Sequence, residues 1–169
     1  MPDLVTHVAL AHLFRRGRSQ IKRKKDNSLA LLLFYWGTIL PDILTRPFFI
    51  LFPGTTNWLL FFHTPAAMAV LSLMLARAFP LPLRRMALGN LFGGAMLHFV
   101  LDLFQRQVLV NHFWLFPFSW ESHGLGVAWP HQIMACIPIW LVMITYTERH
   151  GLVLGLSRVY KRCQLKQAR

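Results

Sequence analysis

His98 and Asp102 are the residues of this chain best suited, by type and spacing, to act together. They stand four positions apart in the run Gly93 to Phe104, which is otherwise apolar. On an α-helix that spacing puts an imidazole and a carboxylate on one face, a turn apart. An ionisable residue at the centre of a membrane-length helix costs about 2.5–3.5 kcal/mol on insertion scales, so two on one face need a shared partner or a polar cavity. Two answers are open from this pair alone. Either the residues hold a cation, or they hydrogen-bond to each other or to a neighbouring helix.

The chain around them reads as membrane protein. Its 169 residues are 55% hydrophobic and 14% aromatic, with mean hydropathy +0.44 and a formal charge of +12. That apolar content exceeds what an ordinary soluble domain needs, and the expectation is one domain over residues 1–169, an all-α polytopic integral membrane bundle. The basic residues fall in three blocks separated by apolar runs: Arg15 to Lys25, then Arg77, Arg84 and Arg85, then a tail from about residue 149. Blocks of this kind follow the positive-inside rule and argue against nucleic acid as the partner. Cys136 and Cys163 lie in an apolar run and a basic tail, so no disulfide is expected. Positive charge follows the apolar start instead of preceding it, so the N-terminus is expected to be retained.

Four spans and a short first helix accommodate the pattern. Met1 to Phe14 suits about three turns of helix, with the basic stretch after it as a solvated cytoplasmic loop. Ser28 would cap a span over Leu29 to Leu40, broken at Pro41-Asp42, with Arg46-Pro47 and Pro53-Gly54 in a loop. A second span runs from about Trp58 to Phe79, kinked at Pro65 or starting there behind Thr64. A third runs from about Met86 to Phe104, and a fourth from about His131 to Tyr146. The tryptophan-rich loop between the last two suits a membrane interface.

With all three basic blocks cytoplasmic, Asp42, His63, His98 and Asp102 fall at one level near the outer face. If the first helix packs antiparallel to the first span, His7 joins them, whereas His12 lies deeper. Two carboxylates and three imidazoles make a donor set for zinc, manganese or iron. No lysine or arginine is placed in this reading to neutralise the carboxylates, which favours a cation. His112, His123, His131 and Glu121 are weaker candidates, since interfacial loop residues are more often solvated. No Gly-x-Ser-x-Gly elbow occurs, and Cys136 has no evident base.

His7 behind Met1-Pro2-Asp3, Gly37 to Asp42, His63-Thr64, His98 to Asp102 and Phe116-Pro117-Phe118 occur in an order that resembles the LexA-regulated, inner-membrane-associated metal-dependent hydrolases of bacteria. The resemblance implies a multi-pass inner-membrane hydrolase tied to the SOS response. The ligand order is also similar to part of the metal site of zinc-dependent phospholipase C. That similarity implies Asp42, His63, His98 and Asp102 around one divalent metal, zinc foremost, with His7 sharing Asp102 at a second. The phospholipase's later His-x-x-x-Glu pair has no counterpart here, and the His-Arg dipeptide of many membrane relatives is absent around His63. The expected activity is hydrolysis of an ester, a lipid phosphoester by preference, with Asp102 or Asp42 accepting a proton. The competing expectation is a non-catalytic membrane protein whose polar cluster holds a structural ion or locks helices.

Overall fold

A computed structural model describes residues 4–22, 27–52, 60–105, 113–119, 121 and 124–149, and all the regular elements among them are helices. They are α1 (Leu4–Lys22), α2 (Ser28–Leu51), a 3-10 turn (Leu60–His63), α3 (Pro65–Arg77), α4 (Leu81–Phe104), α5 (Pro130–Ala135) and α6 (137–149). Two of them, α2 over Ser28–Phe48 and α4 over its whole length, are long and apolar enough to cross a membrane. Between them α3 has 13 residues, about 20 Å of helix. The segment expected as a fourth span is interrupted at Cys136, which separates α5 from α6.

Three expectations are corrected. The basic stretch after Phe14 is not a loop as far as Lys22: α1 continues through it. Arg15 lies against α2 with its guanidinium 5.2 Å from the centre of the Phe34 ring, and Arg16 pairs with Glu148 of α6. Helical partners on two sides thus replace solvation for these charges. Asn27, not Ser28, caps α2, its side chain accepting from the Leu29 amide at 3.0 Å. Finally, α2 does not end at Pro41-Asp42 or loop at Arg46-Pro47; both prolines are inside the helix. A proline deletes one ladder hydrogen bond, and in tightly packed apolar helices neighbouring groups make such an interruption tolerable. Here Pro41 is fully buried, and the carbonyl that its missing N–H leaves free is that of Gly37, the glycine packed against Leu91 of α4. Asp42 is therefore an interior helical residue, with nine more positions of α2 beyond it.

The core shows how the helices run. Leu33 clusters with Ala76, Ala87 and Leu91, while Leu40 and Leu44 pack on the cluster of Met68, Ala95 and Phe99. Numbering rises together along α2 and α4, so these two are parallel, and it falls along α3, which is antiparallel to both. His7 reaches His98, whereas Phe14 stacks on Phe34 and His12 on Tyr35. Hence α1 is antiparallel to α2, as the placement of His7 requires.

Glycine makes the α2–α4 approach close. A Cβ on Gly37 would overlap the backbone of Leu91, and one on Gly94 would overlap the backbone of Phe34 and Thr38. Small residues that let two backbones touch are the usual packing device of membrane helices, where lipid gives no hydrophobic drive for association. The buried stripe of α4 runs through Leu91, Gly94, Ala95, His98 and Asp102. The contact that seats the helices therefore also sets the distance across which Asp42 faces His98.

Large apolar side chains are exposed on every helix, among them Phe14, Trp36, Ile50, Val70, Met74, Leu81 and Val142. So much outward apolar surface on all elements fits lipid contact better than water.

Candidate metal centre

All five expected ligands are buried and come together at one end of the bundle, where α1, α2 and α4 meet the turn before α3. His7 is 1% exposed, Asp42 2%, His63 3%, His98 0% and Asp102 4%. His63 closes the 3-10 turn, and Thr64 then caps α3 by accepting from the Ala67 amide at 3.3 Å. Of the two starts considered for this segment, the one behind Thr64 is adopted.

Asp102 is the hub. Its Oδ1 is 3.4 Å from His7 Nε2, and its Oδ2 is 3.1 Å from His63 Nε2 and 3.2 Å from His98 Nε2. Asp42 Oδ1 approaches His98 Nε2 at 3.8 Å, while its Oδ2 is 2.6 Å from the Arg46 guanidinium. The sequence argument that no cation serves these carboxylates is thereby corrected. The i,i+4 spacing of Asp42 and Arg46 held the signal, but an expected helix break between Pro41 and Pro47 hid it.

Two ligands of a tetrahedral zinc site with bonds of about 2.0–2.1 Å lie about 3.3 Å apart. The spacings around Asp102 have that value. Two triads, His7 with His98 and Asp102, and Asp42 with His63 and His98, each offer ligand atoms within 4.8 Å of one another. His98 tests the fit further. Its Nε2 lies 3.2 Å from Asp102 Oδ2 and 3.8 Å from Asp42 Oδ1, between two carboxylates and not aligned on either for a good hydrogen bond. An unmade hydrogen bond at a fully buried group costs about 1–3 kcal/mol, whereas nitrogen and oxygen lone pairs aimed at a common cation would sit in this way. The donor set fits a divalent metal.

The wall of the cluster is aromatic. Phe99 stands edge-on to His63 at 5.4 Å and to Trp114 at 6.0 Å, and Phe116 stands edge-on to Phe61 at 5.4 Å. Nothing in the chemistry of Trp114 or Phe116 marks them in the sequence as site residues; the fold brings them there. Of the weaker candidates, His131 is exposed and stacks on Trp129, and Glu121 is exposed. His112 and His123 lie outside the described residues.

His12 belongs to a second polar group, as its expected depth implied. Its Nδ1 is 2.6 Å from the Tyr35 hydroxyl and its Nε2 is 2.9 Å from Glu148 Oε1, which also accepts from Arg16 Nε at 2.7 Å. This clasp brings the end of α6 to the basic half of α1, away from the metal cluster. The Arg16 hydrogen bonds hold the Glu148 carboxyl below its usual pKa. A depressed carboxylate contributes stability above its unfolded pKa and loses it as pH falls through the folded one. The clasp should therefore persist at neutral pH and release only on acidification below about 4.3, the ordinary glutamate value. We expect Glu148→Gln and His12→Ala to loosen α6 from α1, read by faster proteolysis near residue 149 or lost cross-linking between the helices, with bound metal unchanged. A fall in metal content would join the two polar groups into one.

No family model, no curated protein and no solved structure matches this chain. What fold and site define is a class: among the described residues the regular elements are all helices, two of them long and apolar enough to cross a membrane, with buried His/Asp groups able to hold a metal ion.

Proposed function

We propose that this is a multi-pass, metal-dependent hydrolase of a bacterial inner membrane that acts on an ester, a lipid phosphoester foremost, near the outer face. The observation that carries the proposal is the convergence of His7, Asp42, His63, His98 and Asp102, from four separate segments, at ligand-to-ligand spacing. The resemblance of their order to the LexA-regulated membrane hydrolases supports the reaction class. The antiparallel alternation of α2, α3 and α4, together with the return of α6 to the basic half of α1, supports four membrane segments with both basic termini cytoplasmic.

When bound, a divalent metal supplies charge for a developing oxyanion and brings the pKa of water at the site toward about 7. The chain's own residues do the rest. Asp102 uses both oxygens among the three imidazoles, so it holds and orients them. Asp42 Oδ1, with the longest contact of the cluster, is the carboxylate oxygen least engaged with the imidazoles and the one open to orient a water by accepting its hydrogen bond. Phe99 and Trp114 keep bulk water away. The exposed apolar residues on the same end, Phe61, Phe62 and Phe118 among them, favour a substrate that arrives through the bilayer.

The burial of all five ligands also favours a second reading, a structural ion, because structural zinc sites are closed by protein ligands. A library of lipid esters, assayed in detergent and in liposomes with zinc, with manganese and without metal, separates the two. The expected result is turnover that chelator abolishes, with water-soluble esters handled poorly. Stoichiometric metal with no turnover above the Asp102→Asn background would leave the structural ion as the reading.

A further inference from the structure

We infer that the side-chain N–H groups of Gln105 and Trp114 are the substrate-positioning donors of this site, and that the ligand they hold presents the oxygen acceptors of a phosphoryl or carboxylic ester group. The inference deepens the hydrolase reading and rests on it for the metal, but it concerns the groups that hold the ligand and not those that hold the ion. The five metal-ligand candidates supply lone pairs for a cation. Gln105 Nε2 and Trp114 Nε1 are the opposite kind of group: both are buried N–H donors with no hydrogen-bond partner among the described residues. A metal ion cannot satisfy an N–H, so the partner these two call for is an acceptor.

Their burial is built by the fold around the end of α4. Gln105 follows Asp102 by three positions, continues the buried stripe of His98 and Asp102 by one more turn, and is 2% exposed. A helix leaves its last carbonyls unpaired, and here a returning segment takes them. Leu103 O accepts from the Leu125 amide at 2.8 Å, Phe104 O accepts from the Val127 and Ala128 amides at 3.0 Å, and Gln105 is bridged to Ala128. This segment closes over an amide that a helix end ordinarily gives to water. It also occupies the nearest backbone acceptors. The Asp102 carbonyl receives the backbone N–H of Gln105 at 3.2 Å, and both Asp102 carboxylate oxygens face imidazoles. Trp114 packs on Met68, Ala95 and Phe99, and it is the Phe99 ring that stands against His63. Those side chains hold no oxygen or nitrogen that could accept from the indole, although a buried tryptophan N–H normally finds a partner. Donors preset in a water-poor site are the usual means of holding an oxygen on which charge develops.

The test uses the full chain, zinc-loaded and in detergent micelles with isotope-labelled tryptophan, as wild type, Gln105→Met and Trp114→Phe. Dibutyl phosphate and methyl butyrate are the probes, one offering phosphoryl and the other ester oxygens on short apolar chains. Zinc is counted by elemental analysis and affinity is measured by titration calorimetry. The Trp114 indole proton is followed by NMR, assigned through its contact with the Phe99 ring. We expect both variants to keep their zinc and each to lose about tenfold in probe affinity, the effect of one hydrogen bond. The Trp114 resonance should move downfield as probe is added, while that of Trp36, exposed on α2, stays. Without probe, Gln105→Met should unfold no more readily than wild type, because a thioether of similar length replaces an idle buried donor. A response to dibutyl phosphate identifies a phosphoester ligand; a response to methyl butyrate alone identifies a carboxylic ester. The inference is overturned by wild-type affinity in either variant, by zinc lost from either, by a Trp114 resonance unmoved at saturating probe, or by a ligand-free Gln105→Met less stable than wild type. Failure of both probes to bind the zinc-loaded wild type overturns it too, and leaves the metal reading standing. Should Trp114→Phe fail to fold, the wild-type resonance and Gln105→Met decide. A wild type that takes up no zinc is a failure of the hydrolase reading; a Trp114 shift with probe in that protein supports the donor site alone, and no shift overturns both.

Discussion

Asp102→Asn is expected to lose at least about 100-fold in metal affinity, more than the 10–100-fold typical of removing an outer partner of a ligand. The substitution keeps shape and polarity but removes the charge shared among His7, His63 and His98. Metal binding stabilises the folded chain by mass action, about 2.7 kcal/mol at a hundredfold excess over Kd. Adding zinc or manganese should therefore raise the unfolding midpoint of the wild type and leave that of Asp102→Asn unmoved. Ester turnover, where present, should drop by orders of magnitude in the same variant. His63→Ala and His98→Ala should lower bound metal as well, because each removes a buried donor at 3.1 or 3.2 Å from the same oxygen. If the cluster merely locked helices, metal would shift the midpoint of neither protein, and elemental analysis would find the ligand variants indistinguishable from wild type.

The second large effect concerns packing. Gly94→Ala should destabilise the chain by at least the upper part of the range of about 1–3 kcal/mol known for overpacking. Its new Cβ meets the backbone of Phe34 and Thr38 and not a side chain that can swing aside. Pushing α2 from α4 also separates Asp42 from His98, so bound metal should fall although no ligand has changed. Gly89 supplies the control on the same helix. It is exposed, nothing lies within 4 Å of its added Cβ, and Gly89→Ala should stabilise by about 0.5–1 kcal/mol through backbone entropy. Unfolding by denaturing detergent, with metal content measured alongside, reads both. Equal stability of the two variants would remove the close helix approach from the account.

Much of the site was legible in the sequence because it depends on spacing and side. The His98–Asp102 pair needs only the helical repeat, and the sorting of Asp42, His63 and His7 to the same end needs only alternating helices and the placement of basic blocks. Helical class followed in the same way, from apolar run length, whereas cap chemistry left two starts open for α3 and the structure takes the one behind Thr64. Tertiary structure decided what local rules leave open. Proline predicts a helix end, but α2 continues through buried Pro41 and exposed Pro47, and only then does Arg46 fall one turn from Asp42. The basic run after Phe14 is likewise helical because Phe34 and Glu148, distant in sequence, receive Arg15 and Arg16. Ligand distances themselves depend on how near two helices can come, which is set where Gly37 and Gly94 let backbones touch, and no periodicity along a single chain encodes the identity of the surface it will meet.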